Sequence, residues 1–115
     1  MSRFYVSLNL ITLGIFTVMA APVSAQSPAL VEQGMKIYVD QKCSICHSIA
    51  GKGNPKGVLE GVATKLSADE IRQWLVNAVE MAKKTGSTKK PVMKNYAKLP
   101  KEDIDALVAY MQSLK

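Results

Sequence analysis

Apolar residues recur at helical spacing in three stretches of this chain, and polar or glycine-rich segments separate them. The first stretch covers residues 28–40. Ser27 is placed to cap it, and Pro28 takes the first helical position, where a missing N–H costs nothing. Leu30, Gly34, Ile37 and Tyr38 then share one face. The second stretch opens with Ser67, Ala68, Asp69 and Glu70, a capping box in which Ser67 and Glu70 satisfy each other's free backbone donors. Ile71, Trp74, Leu75, Ala78 and Val79 follow at spacings of three and four, which predicts one continuous apolar face ending near Gly86. The third covers 101–114, with Glu102 and Asp103 in the first turn, where the helix dipole favours acids. Its expected buried stripe is Ile104, Leu107, Val108 and Met111, with Tyr110 at one edge. No alternating apolar run bounded by hairpin signals competes with these, so the predicted fold class is all-α.

Two connections are long. Residues 48–66 are rich in Gly and Lys, and the stretch from Lys83 to Lys101 holds seven lysines and no acid. Loops of this length without secondary structure are uncommon in a small domain unless they have work to do, so both are expected to wrap something.

Ahead of the first helix, Arg3 is followed by the apolar stretch 10–21, then by Pro22 and the small-residue pattern Val23, Ser24, Ala25. That stretch suits a secretory signal and is short for a membrane span. Residues 1–25 are therefore expected to be a cleaved signal peptide, and 26–115 the mature domain, exported to the periplasm and soluble. The competing reading is an uncleaved anchor, extended back through Phe4, Tyr5, Val6 and Leu8.

A chain of 115 residues holds one ordinary domain. With 48% hydrophobic and 21% charged residues, disorder throughout is excluded. The net charge is +6, and only Arg3 among the charged side chains would leave with the signal, so the working domain is basic. Export makes nucleic acid an unsuitable partner for that charge; weak association with anionic membrane surfaces stays open.

The counts that restrict the chemistry most are two cysteines and one histidine, too few for a four-ligand zinc site of Cys and His. They stand together as Cys43, Ser44, Ile45, Cys46, His47, the C-x-x-C-H pattern of c-type haem attachment. Two thiols at this spacing reach the two vinyl groups of one porphyrin, and the adjoining His47 is aimed at the iron. A thioredoxin-like pair would need a βαβ context, which the pattern lacks. A disulfide would staple only a short loop and leave His47 unexplained.

A single histidine excludes bis-histidine ligation within the chain. Of the methionines beyond residue 25, Met111 lies on the third helix's apolar stripe and Met35 in the helix leading into Cys43; both read as packing. Met93 lies in a non-helical loop far enough along the chain to reach the opposite face of the porphyrin, and is the expected sixth ligand. Met81, near the end of the second helix, is its rival.

In these features the sequence resembles a class I cytochrome c, small, soluble and monohaem, over nearly all of residues 28–115. The likeness rests on C-x-x-C-H near the mature start, a late methionine loop from Met93 to Leu99, and a final helix carrying Leu107, Val108, Ala109 and Tyr110. Gly34 and Tyr38 are similar to the Gly and aromatic positions at which the family's first and last helices cross, with Leu107 and Tyr110 as partners. Two positions depart from the family pattern: Lys94 follows Met93 where Pro is common, and Pro100 opens the last helix where a Ser cap is frequent.

The resemblance implies three main helices and wrapping loops around one covalently attached haem c. Cys43 and Cys46 would hold the porphyrin, and His47 and Met93 the iron. It also implies a backbone carbonyl that accepts the N–H of the ligating histidine, for which Pro55 and Gly57 are both candidates. Trp74 reads as core, or as a donor to a haem propionate.

The implied function is outer-sphere shuttling of single electrons between redox proteins, by a monomeric carrier that is not an enzyme. The lysines at 83–101 read either as a solvated loop or as a collar attracting an acidic face on a partner. Two rival functions stay open: a haem protein with an open sixth position that binds gases or peroxide, and a cytochrome subunit held permanently on one dehydrogenase.

Overall fold

The computed structural model describes residues 27–115 together with Gly14 and Thr17; apart from those two, the expected signal at 1–25 lies outside the described residues. Helix α1, Pro28–Asp40, starts as its sequence requires, with the Ser27 hydroxyl accepting from Leu30 N. It buries Gly34, Ile37 and Tyr38 against α5, Lys101–Gln112.

The crossing of α1 and α5 organises the domain. At Gly34 the helices meet backbone to backbone, and a Cβ there would sit 2.7 Å from Tyr110 Cβ and run into the Ala106 carbonyl. Tyr110 is thus an expected partner, whereas Ala106 takes the place assigned to Leu107. Leu107 instead fills the core, 2% exposed. One turn on, the Tyr38 and Tyr110 rings pack edge to face, 5.7 Å between centroids.

The buried surface of α5 is wider than one stripe. Ala106 and Ala109 join Ile104, Leu107, Val108 and Met111, because α5 packs against α1 and also against the helix that the Ser67 capping box opens. Small side chains at 106 and 109 allow that double contact.

Helix α3, Ala68–Val76, opens with the complete capping box: Ser67 Oγ accepts from Glu70 N at 3.2 Å, and Glu70 Oε2 accepts from Ser67 N at 2.8 Å. Ile71 and Leu75 are buried. The helix does not run on to Gly86 as predicted. It breaks at Asn77 (φ −147°, ψ 43°), and α4, Ala78–Thr85, follows at a new angle before Gly86 ends it at φ 66°. Asn77 both closes α3 and opens α4, the terminal role its short polar side chain favours over a helix interior.

The break undoes the continuous face. Ala78 and Met81 turn inward, Trp74 is only half-buried, and Val79 is 49% exposed. Asp105 of α5 ties α3 back to the core, accepting from Arg72 at 2.6 Å and from Lys101 at 2.6 Å.

The connection 48–66 also departs from expectation. It contains a minimal antiparallel pair, β1 Ser48–Ile49 and β2 Lys52–Gly53, with Ser48 opposite Gly53 and Ile49 opposite Lys52. Ala50 (φ 52°) and Gly51 (φ 74°) form the two-residue loop, both in the positive-φ region that tight hairpins need. A 3-10 turn, Pro55–Gly57, and the short helix α2, Val62–Lys65, complete the segment. The fold remains mostly helical, with the core drawn from α1, α3 and α5. Met35, expected to pack, is 48% exposed on the outer side of α1. Among the described residues no helix is long and apolar enough to cross a membrane.

Candidate haem site

The chain leaves α1 through Lys42, held in the left-handed region (φ 57°), and winds into a 3-10 turn at Cys43–Ile45. Cys46 N and His47 N both donate to the Cys43 carbonyl, at 3.1 and 2.9 Å. Both cysteines are free thiols, Cys43 half-buried and Cys46 exposed.

The structure chooses between the two carbonyl candidates for His47. Its Nδ1 lies 3.1 Å from the Gly57 oxygen; a carbonyl can only accept, so Nδ1 carries the proton and Nε2 keeps its lone pair. Gly57 has to be glycine: a Cβ there would meet the Cys46 carbonyl and lie 3.0 Å from His47 Nδ1. Burial pushes the His47 pKa down, partly opposed by the Gly57 bond and reinforced by the Lys89 charge, so the imidazole is held neutral, the form that binds a metal.

Asn54, which sequence reasoning passed over, holds this loop in shape. Its N–H donates to the Ser44 and His47 carbonyls, its Oδ1 accepts from Lys56 N at 2.9 Å, and its Nδ2 donates to the Ile45 carbonyl at 3.1 Å. The Asn-Pro dipeptide, a turn initiator, was the available signal. Leu59 N then donates to the Ser48 carbonyl, returning the loop to the start of the hairpin.

On the other side, Tyr96 N donates to the Leu75 carbonyl at 2.7 Å, pinning the late loop to the end of α3. Met93 is half-buried and packs on the main core cluster. Met81 is buried in α4 but lies outside that cluster. Burial pushes the Cys43 thiol up, and the Tyr96 hydroxyl nearby partly restrains the shift. Next to Cys43 the Tyr38 hydroxyl is buried without a hydrogen-bond partner, and burial first, then the neighbouring Cys43, Tyr110 and Glu60, raise its pKa to about 12.

These residues fit a haem. Two free thiols and an imidazole with its outer nitrogen unprotonated come from one turn. Ile49, Leu59, Met93, Tyr96 and Leu99, from the segments that bracket the motif, rest on the core yet stay partly uncovered, apolar area that a porphyrin could bury. Among the described residues no cluster of three or more His, Cys, Asp and Glu could hold a bare metal ion.

The family model for Cytochrome c matches residues 31–115, and the chain belongs to that family. It is a class I c-type cytochrome domain, a membership that implies covalently bound haem c. Cytochrome c oxidase subunit 2 of Alkalihalophilus pseudofirmus is 28% identical over 106 residues, an alignment spanning 84% of this chain and 29% of that protein. The chain thus spans under a third of the length of this curated relative. No solved structure is a significant match.

Proposed function

We propose that the domain is an exported single-electron carrier, mature from residue 26, in which Cys43 and Cys46 hold the haem and His47 and Met93 its iron. The carrying observation is the bond from His47 Nδ1 to Gly57 O: it fixes the tautomer and leaves Nε2, across the ring, with a free lone pair. When bound, haem c supplies one-electron ferric–ferrous chemistry. Met93 would hold the iron through a thioether, a ligand type that raises the reduction potential of c-type haems. Tyr96 and Leu75 hold the Met93 loop through a backbone hydrogen bond. With His47 and Met93 both holding the iron, no substrate would have to enter. Lysines at 83–101 attract an acidic face on the redox partner and speed encounter in a salt-dependent way.

The similarity to part of an oxidase subunit supports a second reading, in which the same domain serves one oxidase as a held partner rather than a free shuttle. Co-purification separates the two.

The main test is the visible spectrum of the oxidised holoprotein beside Met93→Ala. The expected result is a weak far-red methionine-to-iron band in the parent and its loss in the variant. Its absence from the parent, or its survival in Met93→Ala, overturns the ligand assignment, and in the former case favours an open site that binds gases or peroxide.

A further inference from the structure

Several of the lysines between Lys83 and Lys101 have a partner within the chain. Lys83 pairs with Glu80 at 2.8 Å and Lys101 with Asp105 at 2.6 Å, and the Lys94 ammonium stands over the Tyr96 ring, 5.7 Å from its centroid. Each of these stays within one helix or one loop. Lys89 differs in kind: its Nζ donates to the backbone carbonyl of Lys56 at 3.4 Å, 33 residues away along the chain.

The two segments it joins are those that bracket the site. Residues 87–95, which carry Met93, are tied to the rest of the protein at their ends, by Ser87 N on the Ala82 carbonyl and by Tyr96 N on the Leu75 carbonyl. The bonds inside the loop are local, from Lys89 N to Ser87 Oγ at 3.4 Å and from Ala97 N to Asn95 Oδ1 at 2.8 Å. Among the described residues the Lys89 ammonium therefore makes the one hydrogen bond between this loop and residues 48–59.

Its landing point is firm. Lys56 N donates to Asn54 Oδ1, Gly57 N to the Asn54 carbonyl, and the next carbonyl along, that of Gly57, accepts from His47 Nδ1. Gly57 lies so close to the Cys46 carbonyl that a Cβ has no room. A charged donor on a long flexible stem can span the gap to such a turn, and the carbonyl it meets can only accept. The Lys89 charge is also among the causes that hold the His47 pKa down, in keeping with its nearness to this turn.

We propose that Lys89 is a positioning residue: its bond to the Lys56 carbonyl straps the Met93 loop to the turn that orients His47, and so resists entry of outside ligands at the position Met93 takes. A carrier gains from this, because a ligand lost in one oxidation state would have to be regained at each turnover. The proposal rests on the reading of Met93 as an iron ligand; it adds which side chain keeps that loop closed and what it is fastened to.

The test uses ferric holoprotein titrated with neutral imidazole, which competes with a thioether for iron, and loss of the far-red band is the signal. Lys89→Met keeps the stem and removes the donor at an exposed position. It is expected to bind imidazole roughly two- to fivefold more tightly, the factor that one exposed hydrogen bond from a charged group supplies. Lys90→Gln removes the neighbouring charge and should bind as the parent does. The Lys89→Met difference should persist in about 1 M salt, where charges more than roughly 3 Å apart are screened. In the ferrous holoprotein the amide heteronuclear NOE at Val92 and Met93 should fall in Lys89→Met, while Asn54 and Gly57 stay as in the parent.

Parent-like imidazole binding by Lys89→Met overturns the proposal. So does an equal gain in Lys90→Gln, or a gain that salt removes, since either assigns the effect to net charge. A parent without the far-red band fails the Met93 reading by itself, and the NOE then decides the strap alone: loop amides equally ordered in parent and Lys89→Met overturn it, and loosening confined to 89–95 supports it. A failed ligand assignment and a failed strap are thus distinguishable.

Discussion

The two loops that bracket the candidate haem site are built in opposite ways. Residues 48–59, on the His47 side, are closed by hydrogen bonds among themselves and to the adjoining 44–47 turn: the β1–β2 pair, five bonds through Asn54, and the return from Leu59 N to the Ser48 carbonyl. Residues 87–96, on the Met93 side, are held mainly at the ends, by Ser87 N on the Ala82 carbonyl and Tyr96 N on the Leu75 carbonyl. Between them the Lys89 ammonium reaches across to the Lys56 carbonyl at 3.4 Å. One side of the site is therefore preorganised by the polypeptide, and the other takes its final shape from what it closes upon. Such a division suits covalent attachment, because thiols and histidine have to be in place first.

The largest test of that contrast removes the covalent link. Cys43→Ala with Cys46→Ala should leave a chain without a cooperative thermal unfolding transition, since a domain this small depends on the porphyrin for much of its core. A sharp circular-dichroism transition in the apo double variant would show that the polypeptide needs no such help.

Gly57→Val should injure the preorganised side specifically. Its branched side chain would collide with the Cys46 carbonyl and crowd His47, costing about 2–3 kcal/mol and lowering haem content per chain. Met93→Ala should leave haem content unchanged while losing the far-red band and roughly 2 kcal/mol in denaturant unfolding, the scale of a core methionine truncation. If both variants lose attachment equally, the two sides are not independent.

Asp105→Asn reaches the Met93 side at a distance, through Arg72 and the end of α3. An expected loss of about 0.5–1 kcal/mol at neutral pH should come with faster amide exchange at Tyr96 than at Asn54. Hydrogen bonds from Lys101, then Arg72, hold the Asp105 carboxyl below the usual aspartate range. Its contribution is therefore complete above the unfolded value near pH 4 and is lost as pH falls through the lower folded value. The variant should lack that part of the acid dependence of stability.

Tyr38→Phe is the smallest change. It removes a buried hydroxyl without a partner and keeps the ring contact with Tyr110, so stability should rise by up to about 1 kcal/mol. A loss of stability would mean that the hydroxyl finds a partner once haem is bound.

Much of the fold could be read in advance where a residue's local chemistry and its tertiary role agree. Ser27, Pro28, Ser67 and Glu70 cap the helices they were expected to cap, and Gly34 marks the close crossing. The site was legible to the extent that C-x-x-C-H is contiguous. Asn77 was not, because the spacing from Ile71 to Val79 satisfies a straight helix as well as a broken one, and periodicity does not register a change of axis. Nor was the hairpin at 48–53, whose loop is Ala50 and Gly51 in place of the usual Asn-Gly or Asp-Gly. Pro55 and Gly57 could not be ranked as partners of His47, since both lie within reach along the chain and only the fold of the Asn54 turn selects one.

By itself the sequence determined that the domain is helical, where its helices start, and that two thiols and one imidazole stand at haem-attachment spacing. These follow from local rules: caps, periodicity and the reach of neighbouring side chains. Only the tertiary structure decided that Ala106 meets Gly34, that Gly57 fixes His47, and that Val79 faces solvent. Each of those depends on how segments distant along the chain come together, and no local pattern encodes that.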